Sequence, residues 1–404
     1  MNMQREVVVA GHIALDIIPA IEQGLPFEAF FSPGVLQQVG PAAIATGGCV
    51  LNTGLALHRL GVDARLVAKV GDDAFGRLTV DLVRCAGDRL DWHLRIVEGA
   101  QSSYTLALNV PGHDRLLLNY PGTNDTFGAE DVREDSLAGA AWFHFGYPPL
   151  MKRILEADGE ELRLTMAKAK SLGLATSLDM SMPGWTAEAA RTDWRKLLSR
   201  TLPYVDVFLP SIEEIAFMLR PERYEALRKE AGHRDLIPFI PVELVREVAD
   251  DMLALGAKIA VIKMGERGLY MKTACADVAG RLPAAVFPDA AAWANRELWA
   301  PCYEANVVGT TGSGDCTIAG FIAAALQGRR PEQTLNFAVA VGACSVEARD
   351  ATSAIVPWAQ VTARVDAGWR RLQAGQAPEG FLWDDEMQLW RGARMEAKNS
   401  QLHD

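Results

Sequence analysis

The most informative stretch of the chain is residues 307–325, which read VVGTTGSGDCTIAGFIAAA. Gly309, Gly312 and Gly314 precede a run of small and apolar residues that is typical of a buried helix. Glycines ahead of a helix let backbone N–H groups close around an anion, and the helix dipole adds positive potential at the same place. The stretch therefore predicts a phosphate or oxyanion site at the start of a buried helix.

Asp315 follows these glycines directly. A carboxylate at this position can accept the proton of a hydroxyl group, which is the role of an aspartate in many phosphoryl-transfer sites. The alternative is that Asp315 only caps the helix and complements its dipole.

A second glycine cluster lies near the start, where residues 45–61 read ATGGCVLNTGLALHRLG. Gly47 and Gly48 precede a predicted helix, and Asn52 falls one turn into it, so its amide could face a ligand or bond locally. Asp16 follows the first predicted strand, where α/β sheets bind ligands beyond the carboxyl ends of their strands. It could bind substrate hydroxyls or be an ordinary loop aspartate.

The pattern along the chain is that of an α/β protein, because short apolar runs alternate with longer amphipathic stretches. We predict a mostly parallel sheet covered by helices. The predicted strands are 6–10, 64–70, 141–145, 174–179, 205–209 and 258–263. The predicted helices are 51–60, 75–86, 160–172, 211–219, 242–255, 315–327 and 331–348.

Two segments interrupt this alternation, at about 30–39 and 103–121. The second is predicted to be a β-hairpin with strands 104–110 and 115–120 around the turn at 111–114. We interpret both as parts of a small β-sheet lid, and the apolar residues on both faces of the hairpin predict a homodimer formed through it. The α/β domain is expected to cover 1–365, with a helical tail over 366–404.

Composition excludes several classes of protein. The chain has 404 residues, 49% of them hydrophobic, and a formal net charge of −11, which argues against binding to nucleic acid or anionic membranes. No run of about 20 apolar residues and no signal peptide is visible, so we expect a cytoplasmic protein. The six cysteines are scattered without metal-ligand spacing, which argues against structural zinc and a disulfide scaffold.

Taken together, these motifs resemble the ribokinase-like carbohydrate kinases, also called the phosphofructokinase-B family. The resemblance covers about residues 7–357 and rests on two signatures in the expected order. One is the Gly47-Gly48-x-x-x-Asn52 helix leading to the turn at 71–76, and the other is the glycine-rich stretch that ends at Asp315.

The resemblance implies a three-layer α/β sandwich with a small β-sheet lid, acting as a sugar kinase that uses ATP and Mg²⁺. By position, it makes Asp315 the base, and it makes the N–H groups of Gly312, Ser313 and Gly314 an anion hole for the transferring phosphoryl group. Sugar contacts are implied for Asp16, Gly47, Gly48 and Asn52.

Further roles follow from the same resemblance. Glu214, in the segment Ser211-Ile212-Glu213-Glu214, matches an acid that helps to organise Mg²⁺ through water, although Ser211 replaces the usual asparagine. The turn from Lys263 through Gly265 to Gly268 matches a nucleotide-binding turn. The helix that contains Asn336 resembles the one beside the adenine pocket.

Departures from the family pattern leave an alternative open. Gly309 stands where the family usually has Asp, which predicts weak or absent K⁺ activation. Residues 178–183, LDMSMP, lack the Asn and Arg of the family's D-x-N-x-R. The alternative is a non-catalytic sugar or nucleotide sensor that retains the fold. An NAD-dependent dehydrogenase is disfavoured, because residues 11–16 lack the G-x-G-x-x-G pattern.

Overall fold

The computed structural model describes residues 6–21, 30–110, 116–184, 191–372 and 377–393. Two sheets organise these residues, one of eleven strands and one of four. In chain order the strands are β1 (Val7–Gly11), β2 (Ala14–Pro19), β3 (Ala42–Gly47), β4 (Ala64–Gly71), β5 (Leu94–Val97), β6 (Tyr104–Leu108), β7 (Leu116–Tyr120), β8 (Trp142–Gly146), β9 (Ala175–Leu178), β10 (Val207–Phe208), β11 (Ile259–Lys263), β12 (Leu269–Thr273), β13 (Glu297–Ala300), β14 (Phe381–Asp384) and β15 (Leu389–Gly392).

The helices agree with the sequence prediction over most of the chain. In chain order they are α1 (Gly48–Arg59), α2 (Ala74–Ala86), α3 (Glu134–Leu137), α4 (Lys152–Ser171), α5 (Trp194–Thr201), α6 (Ile212–Leu219), α7 (Pro221–Ala231), α8 (Val242–Ala254), α9 (Ala276–Ala279), α10 (Ser313–Leu326), α11 (Pro331–Ser345) and α12 (Trp358–Asp366). Every predicted helix overlaps one of these, and every predicted strand of the α/β domain is present. None of the helices in the described ranges is both long enough and apolar enough to cross a lipid bilayer.

The large sheet has the order β14-β15-β13-β12-β11-β10-β9-β8-β1-β4-β5. Neighbouring strands are parallel from β11 through β5, and the four strands beyond β11 pair antiparallel. The carboxyl ends of β1, β8, β9 and β11 therefore lie along one edge of the sheet. This edge is where an open α/β sheet forms its binding crevice.

Two hydrophobic cores cover the two faces of this sheet. Val7 and Val9 of β1 belong to one core, together with residues of α1, α10 and α11. Val8 and Ala10 belong to the other, together with residues of α4, α6 and α8. Because successive strand residues point to opposite faces, this division confirms a three-layer sandwich in which the central strands are buried on both sides.

The four-stranded sheet is the lid, with the order β3-β2-β6-β7. The predicted hairpin is confirmed, since β6 and β7 pair antiparallel from Tyr104–Tyr120 to Leu108–Leu116. The turn predicted at 111–114 lies outside the described residues. The prediction for 30–39 is wrong, because no strand forms at 30–39 and the other lid strands are β2 and β3. The alanine-rich run of β3 has low strand propensity, and its pairing with β2 overrides that propensity.

The prediction of a helical tail is also wrong for residues 377–393. This segment forms the hairpin of β14 and β15, and β15 pairs antiparallel with β13 at the edge of the large sheet. Phe381 and Leu389 are buried there, and the rings of Trp383 and Trp390 pack edge to face with centroids 4.8 Å apart. Large aromatic residues favour strands. The edge of β13 provides the hydrogen-bonding partner for β15, and the sequence alone does not reveal this pairing.

Candidate active site

The residues of the predicted anion site lie at the start of α10. Gly312 is its N-cap and adopts φ 71°, a left-handed conformation that glycine tolerates best. A Cβ on Gly312 would lie 2.3 Å from the Cβ of Ala351, so no larger residue fits. No side chain caps this helix. The N–H group of Ser313 donates to the carbonyl oxygen of Thr310 at 3.3 Å, and the helix dipole favours negative charge at this end of α10.

Asp315 lies in the first turn of α10 and is buried. Its Oδ2 accepts hydrogen bonds from Nδ2 of Asn52 at 2.9 Å and from the hydroxyl of Tyr147 at 2.8 Å. Its Oδ1 is buried and has no hydrogen-bond partner. Burial raises the pKa of Asp315, while Lys263 and the two hydrogen bonds to Oδ2 act against that rise. Asp315 is thus hydrogen-bonded to side chains from α1 and from the end of β8. A residue that only caps its own helix does not need such contacts.

Lys263, at the end of β11, forms a buried ion pair with Asp179, just beyond β9. Its Nζ lies 2.6 Å from Oδ1 of Asp179. Burial alone would lower the pKa of Lys263, but the carboxylates of Asp179 and Glu214 outweigh it and raise this pKa above its ordinary value. The same Nζ lies 3.5 Å from the position that a Cβ on Gly314 would occupy. A fixed positive charge therefore stands beside the start of α10.

The predicted sugar-binding residues form the other side of the site. Asp16 lies within lid strand β2, opposite Ala45 of β3, so the alternative of an ordinary loop aspartate is wrong. A Cβ on Gly47 would lie 2.1 Å from Oδ1 of Asp16, so glycine is required for this close approach. Gly48 has φ 78° and lies directly against His12. Asn52 contacts Asp315, which connects the two glycine clusters of the sequence.

Three residues of the site were missed by the sequence analysis: His12, Tyr147 and Asp179. Each follows the carboxyl end of a central strand, and that position is the signal that could have identified them. His12 is buried, neither of its ring nitrogens has a hydrogen-bond partner, and burial lowers its pKa to about 4. It is therefore a neutral imidazole with one unused donor and one unused acceptor.

The nucleotide-binding turn predicted at 263–268 connects β11 and β12. Gly265 and Gly268 have φ of 54° and 92°, and a Cβ on Gly268 would lie 2.0 Å from the carbonyl oxygen of Ala300. Asn336 borders the same pocket of about 1230 Å³ as Arg267 of this turn. Its amide donates to the carbonyl oxygen of Met387 and accepts from Arg371, so it also anchors the C-terminal hairpin.

Glu214 closes a capping box at the start of α6. Its Oε2 accepts from the backbone N–H of Ser211 at 2.7 Å, and the hydroxyl of Ser211 accepts from the N–H of Glu214. Ser211 therefore serves the helix where the family has an asparagine. Glu214 is close enough to Lys263 to raise its pKa, which places this carboxylate beside the same crevice.

Gly309 packs against the turn after α11. A Cβ on Gly309 would lie 2.9 Å from the carbonyl oxygen of Ala348, and the N–H groups of Val308 and Gly309 both donate to Val346. A residue with a carboxylate side chain does not fit here without movement of the backbone. The loop therefore lacks the acidic ligand of the usual K⁺ site, and weak K⁺ activation stays a prediction.

The family of the chain follows from comparison with known proteins. Residues 4–359 match the model of the pfkB family of carbohydrate kinases, and the chain belongs to this family. It is a sugar kinase, an enzyme that transfers a phosphoryl group to a sugar.

Curated relatives are distant but cover most of the chain. An uncharacterized sugar kinase of Archaeoglobus fulgidus is 25% identical over 279 residues, which are 69% of this chain and 89% of the relative. The 2-dehydro-3-deoxygluconokinase of Thermoproteus tenax is 25% identical over 329 residues, which are 80% of this chain and 86% of the relative.

Solved structures confirm the fold. A fructokinase of Xylella fastidiosa with bound ATP aligns with a TM-score of 0.66 at 20% identity, covering 90% of this chain and 99% of that one. A ribokinase of Arabidopsis thaliana complexed with ribose and ATP aligns with a TM-score of 0.64 at 18% identity, covering 89% and 98%.

Proposed function

We propose that this sugar kinase transfers the γ-phosphoryl group of ATP to a hydroxyl of a monosaccharide or related polyol, with Asp315 as the base. The observation that carries the proposal is the buried, unpartnered Oδ1 of Asp315 in the first turn of α10, a helix that no side chain caps. The use of ATP is supported by the nucleotide bound to the fructokinase and ribokinase that share the fold.

The chemical step needs one proton acceptor and an electrostatic site. The acceptor hydroxyl gives its proton to Oδ1 of Asp315, and its oxygen forms a bond with the γ-phosphorus. The bond from that phosphorus to the β–γ bridging oxygen breaks, and ADP leaves with the electron pair. Negative charge on the transferring group would lie between the N–H groups of Gly312, Ser313 and Gly314 and the ammonium of Lys263. For this, the N–H of Ser313 would exchange its 3.3 Å contact with the carbonyl oxygen of Thr310 for one with the phosphoryl group.

The acceptor side suits a polyol. Asp16, His12 and Asn52 offer a carboxylate, a neutral imidazole and an amide. A hydroxyl group can donate to the carboxylate, and it can donate to or accept from the imidazole and the amide. The lid strand that carries Asp16 covers this side, so its closure would exclude water from the reacting groups.

Mg²⁺ fits the donor set of the nucleotide side. Magnesium retains several waters and takes most of its remaining ligands from substrate phosphates, so one protein carboxylate is sufficient. No cluster of three His, Cys, Asp or Glu side chains suited to a metal occurs within the described residues, which agrees with such a water-mediated site. We propose that Glu214 holds this hydrated ion, which would neutralise phosphate charge when bound.

Turnover of a substrate panel tests the proposal. Purified protein with ATP and Mg²⁺ is assayed for ADP release against D-fructose, D-ribose, 2-dehydro-3-deoxygluconate, ribose 1-phosphate and inosine. We expect phosphorylation of at least one acceptor, located by ³¹P NMR. Binding of a sugar without any ADP release would instead establish the sensor alternative.

Glu214→Gln is expected to raise the Mg²⁺ concentration needed for half-maximal rate by about 10-fold, because the neutral amide attracts the hydrated ion less strongly. Glutamine can replace glutamate in a capping box, so α6 should remain intact. The measurement is a Mg²⁺ titration of the rate at saturating ATP. Glu213→Gln, in the same helical turn, is the control. An unchanged midpoint in the Glu214 variant would leave only the capping role.

We also propose that the lid forms a homodimer. Leu116, Leu117 and Leu118 of β7 are each at least 38% exposed, so apolar side chains are exposed on both faces of this edge strand. An exposed apolar edge strand needs a cover, and a second copy of the lid would provide an apolar one.

Light scattering at micromolar concentration should give about twice the chain mass of 43.9 kDa. Leu117→Lys should shift the protein to the monomer, because a buried, unpaired lysine at the interface is unfavourable. Leu172→Lys is the matched control, since Leu172 is also 50% exposed but lies at the end of α4. A monomeric mass for the parent protein would refute the dimer.

A further inference from the structure

Tyr147 has an unusual backbone conformation next to the proposed base. It follows β8 directly and adopts φ 62° and ψ 40°, in the left-handed region that residues other than glycine rarely adopt. The next residue is Pro148, which further disfavours helical conformations at the position before it. Strain of this kind persists only where the surrounding structure imposes it, and it concentrates at functional sites.

Next to Tyr147, helix α1 packs closely against the end of β8. A Cβ on Gly146 would lie 2.0 Å from Sγ of Cys49, so only glycine at 146 lets α1 pack this closely on the end of β8. That packing brings Asn52, one turn further along α1, to the same carboxylate as the Tyr147 hydroxyl. The two side chains thus reach Asp315 from two separate elements.

Both hydrogen bonds end on the same oxygen. Oδ2 of Asp315 accepts from Tyr147 and Asn52, while Oδ1 has no partner although it is buried. A carboxylate held at one oxygen by two donors cannot rotate freely, and its other oxygen is left without a partner in this structure. The two hydrogen bonds therefore make the two oxygens of the Asp315 carboxylate, which are otherwise equivalent, different from each other.

We infer that Tyr147 is a positioning residue for the proton transfer: with Asn52 it holds Oδ2 of Asp315, so that Oδ1 accepts the proton of the acceptor hydroxyl. The inference rests on the proposed function, and it adds a residue that neither glycine-rich motif contains.

A second effect of the hydroxyl is electrostatic. A hydrogen bond donated to a carboxylate stabilises its charged form, so Tyr147 opposes the rise in the pKa of Asp315 that burial causes. Burial and the nearby Asp315 raise the pKa of Tyr147 itself well above its ordinary value, so its hydroxyl stays protonated as a donor. The other titratable groups that act on Asp315 or respond to its charge are Lys263, Glu214, Asp179, Cys49 and Cys316. All of them remain in a Tyr147→Phe variant.

The test is Tyr147→Phe, with rates measured from pH 5 to pH 9. The base must be ionised, and loss of the hydroxyl raises the pKa of Asp315, so the acidic limb of the kcat/KM profile should move upward by about one pH unit. On that limb kcat should fall by about 10-fold and recover toward the parent value at higher pH. The KM for ATP should not change.

Tyr270→Phe is the matched control. The Tyr270 hydroxyl is also buried and also donates to a carboxylate, that of Glu297, but it lies on β12 outside the site. This variant should lose stability without any shift in the pH profile. An unmoved acidic limb with parent-like kcat in Tyr147→Phe would overturn the inference.

A measurement independent of turnover separates this inference from the proposed function. The protein is labelled with ¹³C at the aspartate carboxyl carbons, the Asp315 signal is assigned with Asp315→Asn, and its titration midpoint is followed in the parent and in Tyr147→Phe. We expect a higher midpoint in the variant. If the midpoint moves but no sugar is phosphorylated, the proposed function fails and the hydrogen-bonding role stands. If turnover occurs and the midpoint does not move, the positioning role fails.

Discussion

Asp315→Asn is expected to reduce kcat by about 10²-fold or more, because an amide cannot take the proton of the acceptor hydroxyl. Asparagine has nearly the same shape and can still accept the hydrogen bonds of Asn52 and Tyr147 through its amide oxygen. Nucleotide binding should therefore remain. The measurements are single-turnover rates with the best acceptor of the panel, and the Kd of ATP from calorimetry.

Asp193→Asn is the control for the alternative that Asp315 only caps a helix. Asp193 is the N-cap of α5 and accepts the backbone N–H of Lys196, which is a purely capping role. It should tolerate the substitution with unchanged turnover. Near-parent turnover in Asp315→Asn would mean that Asp315, like Asp193, only caps a helix.

The central architecture could be predicted from the sequence because its signal is local. The strands β1 and β8 are short, largely apolar runs that are buried on both faces, and such runs are recognisable without knowledge of their neighbours. The predicted helix at 160–172 begins just after the point where the backbone of α4 departs from helical geometry, at Glu156–Gly159. The sequence therefore predicts the regular part of α4.

The parts that were missed depend on distant partners. β15 is a strand because it pairs with β13, and residues 42–47 are a strand because they pair with β2. Neither pairing has a local signature strong enough to outweigh the charged residues of the tail or the alanines of β3. Propensity is a weak guide when tertiary pairing decides.

The residues of the candidate site also fall into a group with a local sequence signal and a group that depends on distant partners. The glycine motifs drew attention to Gly47, Gly48 and Gly312, where an added Cβ would lie less than 3 Å from a neighbouring atom. Tyr147 is separated from Asp315 by 168 positions, and Asp179 from Lys263 by 84. Such contacts arise only when parallel strands align their carboxyl ends, so a single sequence does not reveal which side chains meet.

Lys263→Met should lower kcat by about 10²-fold, in the range found when one preorganised group that stabilises the transition state is removed. The ammonium lies beside Gly314 at the start of α10, where negative charge on the transferring phosphoryl group would gather. Methionine keeps the length and the apolar contacts of the side chain and removes only the charge. We expect the KM for the sugar to change little, because the residues proposed to bind the sugar lie on the other side of the site.

The substitution also leaves the Asp179 carboxylate buried without its partner, which destabilises a protein by about 3–5 kcal/mol when the charge is not relieved. The double variant Lys263→Met/Asp179→Asn separates the two effects. Removing both charges should restore the melting temperature toward that of the parent and leave turnover low. Lys272 lies on the neighbouring strand β12 and forms a more exposed ion pair with Asp250. The control Lys272→Met, which breaks this pair, should change neither the melting temperature nor the turnover strongly. If the double variant regained both stability and turnover, Lys263 would serve only to neutralise Asp179, and the phosphoryl group would be stabilised by the N-terminus of α10 without it.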